Sequence, residues 1–304
     1  MRIGLIGLGK MGYPLALNFK EKNIDIVVYS SNVEKLDNLL KQNIEGFSNL
    51  DTFINSFSDT KIIWLMIPSG EAVDEMIMSL IPKLSEGDIL IDGGNSNYKD
   101  SIKRYNLLKE KGIHFLDVGT SGGVEGARNG ACFMVGGDEF IYKKLEHIFK
   151  SLSGGRGCDF IGESGAGHYV KMIHNAIEYG MMQAIGEGFQ IMNDSDYDID
   201  LYKVSKIWKN GSIVSGLLMN TVAKALEKDK LLDDIDGTVS FSGEADWAVE
   251  EALRLKISTP VITASLFARY KSNDDSDFSE KILSAMRNEF GGHSIKYKKK
   301  GTNK

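Results

Sequence analysis

Residues 2–12 read Arg2-Ile3-Gly4-Leu5-Ile6-Gly7-Leu8-Gly9-Lys10-Met11-Gly12. A short apolar run of strand length leads straight into Gly-x-Gly-x-x-Gly, and a helix-length segment around 11–22 follows. In that context each glycine has a task. The first permits a tight turn, the second lets backbone approach a pyrophosphate, and the third lets the helix pack on the strand. Free N–H groups and the dipole at the start of the helix then stabilise phosphate. The stretch predicts a dinucleotide-binding turn, with Gly7, Gly9, Lys10, Met11 and Gly12 as cofactor contacts.

Outward from that turn, further apolar runs of strand length occur at Ile24–Tyr29, Lys61–Met66, Ile89–Ile91 and His114–Asp117. Several are apolar throughout, as strands of a sheet covered on both faces must be. Helix-length segments lie between them, around 32–42, 70–84 and 99–111. The alternation predicts an α/β doubly wound sheet of Rossmann type with right-handed crossovers. Cys132–Val135 and Cys158–Ile161, flanking an amphipathic segment at 138–151, complete the sheet. From Gly165 the texture becomes helical, with segments expected at 166–195, 199–211, 214–228, 247–256, 260–272 and 278–289. The reading is therefore a nucleotide domain over 1–163 and an all-α domain over 164–304, which the first long helix joins as a spine.

Bulk properties narrow the class. A net charge of -6 argues against a nucleic-acid binder, whose footprint is basic. The basic run 296–300 reads as a solvated tail. Two cysteines, Cys132 and Cys158, form no disulfide framework and no metal-ligand spacing, so both are expected to be small packed residues in a reducing compartment. The N-terminus lacks the pattern of a signal peptide and no apolar run reaches about 18 residues, so the expected location is cytoplasmic and no metal is expected.

The second strand bears on the cofactor. An acid at its end would hold a ribose 2′-hydroxyl, and an arginine nearby would accommodate a 2′-phosphate. The strand ends Tyr29-Ser30-Ser31-Asn32, which offers neither. Small hydroxyl residues do not repel phosphate, and Lys35 is close in sequence, so NADP is favoured slightly over NAD. Ser30, Ser31 and Asn32 are assigned to the cofactor. Met66-Ile67-Pro68 is either a lid over the adenosine side or plain strand-end packing.

Two more glycine-rich loops follow strands at the edge where ligands bind in such sheets, Asp92-Gly93-Gly94-Asn95-Ser96 and Gly119-Thr120-Ser121-Gly122-Gly123. Each combines backbone freedom with side chains able to bond a polyol or a carboxylate. A third feature is a polar helix face. At 3.6 residues per turn, Lys171, His174, Asn175 and Glu178 share one side of a helix, where a packed helix should be apolar. A lysine and a glutamate two turns apart can act as base and acid on the two ends of one substrate.

The segments DGGNSNYKDS, GTSGGVEGARNGACFMVGG and GAGHYVKMIHNAIEYGMMQAIGE, in this order, resemble the signature blocks of the decarboxylating 6-phosphogluconate dehydrogenase family in its short form. The wider β-hydroxyacid dehydrogenase superfamily shares the glycine turn, the Ser-Gly-Gly loop and the helix lysine; the His-Asn-x-Ile-Glu-Tyr-Gly extension narrows the resemblance. The resemblance implies oxidation and decarboxylation of 6-phosphogluconate in the pentose phosphate pathway, with gluconate utilisation. It makes Lys171 the base at the 3-hydroxyl and Glu178 the acid that protonates C1 of the enediol. It makes Asn95, Ser121, Gly122, Gly123, His174, Asn175 and Tyr179 substrate contacts, with Asn95 also beside the cofactor.

Near the C-terminus, Arg287-Asn288-Glu289-Phe290-Gly291-Gly292-His293 resembles the family's RxxFGxH tail, which reaches into a partner subunit's site. By that likeness Arg287 and His293 bind substrate in trans, Arg269 is a phosphate contact, and the protein is a dimer or higher homo-oligomer. One segment departs from the pattern. Where the family has Gly-x-Gly-Lys/Arg-Trp, with the cation on the phosphate, this chain has Gly243-Glu244-Ala245-Asp246-Trp247. Two other readings stay open: a related 3-hydroxyacid dehydrogenase acting on an unphosphorylated or different sugar acid, and a dinucleotide sensor without turnover.

Overall fold

Ile3–Ile6 (β1), Ile62–Leu65 (β4) and Ile89–Asp92 (β5) are four-residue strands in which every residue is buried. Such runs persist only inside a sheet covered on both sides. The computed structural model describes residues 1–235, 237–240, 243–273, 282 and 286. The other strands are β2 (Ile26–Tyr29), β3 (Glu45–Phe47), β6 (His114–Ser121), β7 (Cys132–Gly137) and β8 (Cys158–Gly162). Helices α1 to α7 are Gly12–Glu21, Val33–Leu40, Leu50–Asn55, Glu71–Leu80, Tyr98–Lys109, Gly123–Asn129 and Glu139–Leu152. Then follow α8 (Ala166–Asn193), α9 (Leu201–Trp208), α10 (Leu217–Lys228), α11 (Glu244–Leu255) and α12 (Pro260–Ser272).

The sheet order is β3-β2-β1-β4-β5-β6-β7-β8. All pairs are parallel except β6 with β7. Alternate residues feed two cores, as the period of two demands. Ile3, Leu5, Ile62, Trp64, Ile89 and Ile91 face α1, α2, α6 and α7, whereas Ile6, Ile63, Leu65 and Leu90 face α3, α4 and α5. Trp64 is fully buried, with the rings of Phe19, Phe133 and Phe149 at 5.6, 5.6 and 5.2 Å. Truncating such a side chain costs about 3–5 kcal/mol.

The doubly wound architecture expected from the sequence is present, followed by helices. Three details differ. The strand expected to stop at Asp117 runs on to Ser121, because Gly119, Thr120 and Ser121 pair with Met134, Phe133 and Cys132 of the antiparallel β7. The edge strand β3 and the short α3 were too brief to show a period. Cys132 is exposed, against the packed residue expected, whereas Cys158 is half-buried and packs against the core.

Backbone proximity groups Met1–Tyr179 with Gly243–Thr259 in one compact unit, and the intervening and following chain in a second. The first unit therefore contains the sheet, the first half of α8 and all of α11. In the second, α9 and α10 are joined by Tyr202 donating to Glu227 at 2.8 Å, and Phe189 meets Trp208 edge-on at 5.8 Å. The helix expected at 278–289 lies almost wholly outside the described residues. No helix among the described residues is long and apolar enough to cross a membrane.

Candidate active site

The strand order brings the C-terminal ends of β1, β4, β5 and β6 side by side, and the winding reverses between β1 and β4, where such sheets open a ligand crevice. The glycine turn occupies the end of β1. Gly7 has φ +98°, and a Cβ there would lie 2.6 Å from the Met66 carbonyl oxygen. A Cβ on Gly12 would lie 2.0 Å from the Gly7 oxygen, whereas one on Gly9 meets no described atom within 4 Å. Two glycines are thus required for close packing and the middle one keeps open backbone, a cradle that fits a pyrophosphate.

At the end of β2, the Asn32 side chain accepts from the Lys35 amide at 3.0 Å and caps α2, while the Asn32 amide donates to the Ser30 hydroxyl at 3.1 Å. Ser31 is exposed. Lys35 donates from Nζ to the Leu8 carbonyl at 2.7 Å, which fixes a cation against the glycine turn.

The next loops touch one another. A Cβ on Gly93 would lie 2.8 Å from Met66 Sδ, and one on Gly94 would lie 3.1 Å from the Ile67 oxygen. Thr120 donates to the Gly93 carbonyl at 3.1 Å. Asn95 is exposed at the tip of its loop, and Ser121 and Gly122 are half-buried. Gly122 and Gly123 have φ +109° and +62°, conformations that glycine adopts without strain.

The polar helix is seated by a buried carboxylate. Asp117, 0% exposed, accepts from the amides of Gly165 at 2.7 Å and His168 at 2.9 Å, at the positive end of α8. Glycines let the backbones approach. A Cβ on Gly119 would lie 2.5 Å from Lys171 Cβ, and one on Gly167 would lie 2.3 Å from the Asp117 carbonyl oxygen. His168 is pinned as well, its Nδ1 2.7 Å from the Ser101 hydroxyl.

On the helix face, Lys171 is 6% exposed and Asn175 9%. His174 Nε2 lies 3.2 Å from the Ser121 hydroxyl, and its Nδ1 lies 3.0 Å from Asn175 Oδ1 and 3.9 Å from Glu178 Oε2. With those neighbours Nδ1 is the natural donor, which leaves Nε2 to accept from Ser121. Burial pushes the Lys171 ammonium below the ordinary lysine range, against Glu178, Glu244 and Cys132, which favour the charged form. Cys132, paired in register with Ser121, has its thiol pushed up by burial while Lys171 pulls the other way.

Helix α11 belongs to the same unit. Glu251, 5% exposed, accepts from Tyr98 and Tyr169 at 3.2 Å each and from Arg254 at 2.6 and 2.8 Å. Its carboxyl is held down to about 2, first by the Arg254 bond. This anchor sets the first turn of α11 near the site: Glu244 is buried there, and Asp246 is half-buried beside it. Two acids in a first turn suit the helix dipole.

The structure thus brings together Lys171, His174, Asn175, Glu178, Tyr179, Ser121 and the glycine loops in one unit. Arg269 belongs to the second unit, where it donates to the Ser240 carbonyl at 3.0 Å. Arg287, His293 and the basic run lie outside the described residues. Sequence reading missed Asp117, Thr120 and Glu244. Only Asp117 left a signal, an acid inside an apolar strand. Among the described residues no group of three or more His, Cys, Asp or Glu could hold a metal ion.

Comparison with known proteins adds the relationship. Residues 2–162 match the NAD binding domain of 6-phosphogluconate dehydrogenase, and residues 167–281 and 193–304 match the C-terminal domain of that enzyme. A Bacillus subtilis protein, YqeC, which carries a provisional 6-phosphogluconate dehydrogenase name, is 48% identical over 298 residues, covering 98% of this chain and 100% of its own length. An NAD(+)-dependent, decarboxylating 6-phosphogluconate dehydrogenase from Haloferax volcanii is 36% identical over 297 residues, 97% of this chain and 98% of that protein. The Plasmodium falciparum 6-phosphogluconate dehydrogenase, solved in its apo form, with NADP+ and with 6-phosphogluconate, superposes with a TM-score of 0.82 at 34% identity, covering 100% of this chain and 67% of that one. The chain spans about 61% of longer relatives.

Proposed function

The chain belongs to the 6-phosphogluconate dehydrogenase family, and from that premise we propose that it converts 6-phosphogluconate to ribulose 5-phosphate and CO2 while reducing NAD(P)+. One observation carries the reading. Lys171 is buried, and burial lowers its pKa toward the range a general base needs, on a face shared with Glu178.

Bound NAD(P)+ supplies the acceptor for hydride leaving C3. Gly7, Gly9, Lys10, Met11 and Gly12 hold its pyrophosphate, with Ser30, Ser31, Asn32 and Met66-Ile67-Pro68 along the adenosine side. Neutral Lys171 takes the 3-hydroxyl proton. The resulting 3-keto acid loses CO2 as the C1–C2 electron pair moves toward the ketone, and the Lys171 ammonium stabilises and protonates the developing enolate oxygen. Glu178 then protonates the carbon that becomes C1 of the product, while Lys171 takes the enol proton back. Transfer of that proton to Glu178 restores both groups, so the substrate's hydroxyl proton is balanced by the one gained at C1.

In this reading Asn95, Ser121, Gly122, Gly123, His174, Asn175 and Tyr179 hold the sugar acid. Arg269, with Arg287 and His293 from a partner's tail, takes the phosphate, which makes the protein a homo-oligomer with shared sites. Exposed apolar side chains such as Ile191, Ile207 and Val261 support an oligomer. We assign 1–163 as the nucleotide domain and 164–304 as the substrate and dimerisation domain. Lys35 beside the glycine turn supports NADP+ as the preferred coenzyme; relatives of similar identity use either.

Asp246 favours a second reading, an unphosphorylated sugar acid, because an anion near a desolvated phosphate is repulsive. A spectrophotometric assay of NAD+ and NADP+ reduction with 6-phosphogluconate beside gluconate tests both. Turnover of 6-phosphogluconate with a higher kcat/KM for NADP+ is expected. Turnover of gluconate alone overturns the main reading.

A further inference from the structure

Arg104 on α5 is 3% exposed and is not among the groups assigned to cofactor or substrate. Its Nη1 donates to Asp92 Oδ2 at 3.2 Å and to the Ser96 hydroxyl oxygen at 2.9 Å. Its Nη2 donates to the Gly70 carbonyl at 3.0 Å, and its Nε donates to Asp74 Oδ1 at 2.7 Å. Asp92, 0% exposed, closes its own loop by accepting from the Gly94 amide at 3.1 Å and the Ser96 hydroxyl at 2.6 Å. One guanidinium therefore spans two loops. The loop after β4 carries Met66, Ile67 and Pro68, and the loop after β5 carries Asn95.

A buried ion pair of this kind is weak evidence for stability, because desolvating both charges offsets their attraction. Its planar fork does impose a fixed geometry on everything it bonds. The loops also approach closely, since a Cβ on Gly93 would lie 2.8 Å from Met66 Sδ and one on Gly94 3.1 Å from the Ile67 oxygen. The Thr120 bond to Gly93 passes the constraint on to the strand that ends in Ser121.

We propose that Arg104 is a positioning residue that couples the cofactor loop after β4 to the substrate loop after β5, so that each ligand tightens the binding of the other. The coupling is reciprocal by linkage. It rests on the assignment of 6-phosphogluconate as substrate.

The test uses the full chain with NADPH, which cannot accept hydride, so 6-phosphogluconate can be added without turnover. NADPH fluorescence gives its Kd with and without the sugar acid. In the unaltered protein 6-phosphogluconate should lower that Kd by at least about 5-fold, the lower end of usual coupling. In Arg104→Lys, which keeps a cation beside Asp92 but loses the fork, the ratio should fall to near 1 while each binary Kd moves less than the ratio does. Asp74→Asn cuts only the Nε arm at a carboxylate that is 56% exposed, and should lower the ratio in part even if Arg104→Lys does not fold. A merely structural role would weaken both binary complexes and leave the ratio unchanged, and that result overturns the proposal. A ratio of 1 in the unaltered protein does so too. Failure of 6-phosphogluconate to bind at all is a different result, which removes the substrate assignment and the coupling with it.

Discussion

The two halves of α8 differ in the polar groups they bury. From Ala166 to Tyr179 the helix buries polar groups: His168, Lys171 and Asn175 are each no more than 9% exposed. From Gly180 to Asn193 it exposes apolar ones, with Met181 at 53% and Ile191 at 72%. The difference lies in what meets each half. The first is received by Asp117, Ser121 and Ser101 and by glycines that admit its backbone, so several of its polar groups have partners, although His168 Nε2 is buried without one among the described residues. Polar burial on a helix is stable only where a neighbouring element supplies those partners.

The largest expected effect tests whether the buried polar half is the working half. Lys171→Ala should lower kcat by roughly 10²–10⁴-fold, the range of general-base catalysis, with NADPH affinity retained. Activity kept within a few-fold would take the lysine out of its role. Next comes the seat. Gly119→Ala would put a Cβ 2.5 Å from Lys171 Cβ, and the resulting shift should cost on the order of 10²-fold in kcat. The matched change in the other half, Gly186→Ala, meets no described atom within 4 Å and should raise stability by about 0.5–1 kcal/mol with kcat unchanged. Equal effects of the two substitutions in steady-state assays and thermal melts would erase the contrast.

Titration sharpens it further. With the Lys171 pKa lowered by burial, kcat/KM should rise with pH along a limb centred below 10.5, the ordinary lysine value; a limb at or above that value contradicts the burial argument. A folded pKa below the unfolded one means that the unfolded chain binds more protons in that window, so the Lys171 penalty on stability is relieved as pH rises through it. Glu251 gives a slope of the same sign at acid pH, but as a stabilising contribution rather than a penalty. Its folded pKa of about 2 lies below the ordinary glutamate value of 4.5, so its contribution is present above 4.5 and lost as pH falls toward 2. Glu251→Gln should therefore flatten acid unfolding over that interval, a smaller effect, read by circular dichroism against pH.

Much of this was legible from residues alone. The glycine turn after β1, the alternation of apolar runs and the 171–178 face lie within local windows, where periodicity and backbone demands are decided by neighbours in sequence. Spacing alone makes Gly119–Ser121 part of a glycine-rich loop, because their pairing partners, Cys132–Met134, come from a strand running the other way. Glu244 could not be associated with Lys171, since their proximity depends on Glu251 holding α11 to Tyr98 and Tyr169. Asp117 was visible as an acid in an apolar strand, but its partners, Gly165 and His168, lie far along the chain.

Sequence by itself determined which groups the chain presents: a nucleotide turn, two glycine loops, and a lysine and a glutamate on one helix face. Those are properties of spacing, which the backbone's own repeat converts into geometry. Tertiary structure decided the surroundings of those groups. In the proposed reaction Lys171 can serve as base only because α8 is seated deeply enough for burial to lower its pKa, and that depth is set by a carboxylate and close-packed glycines on other strands.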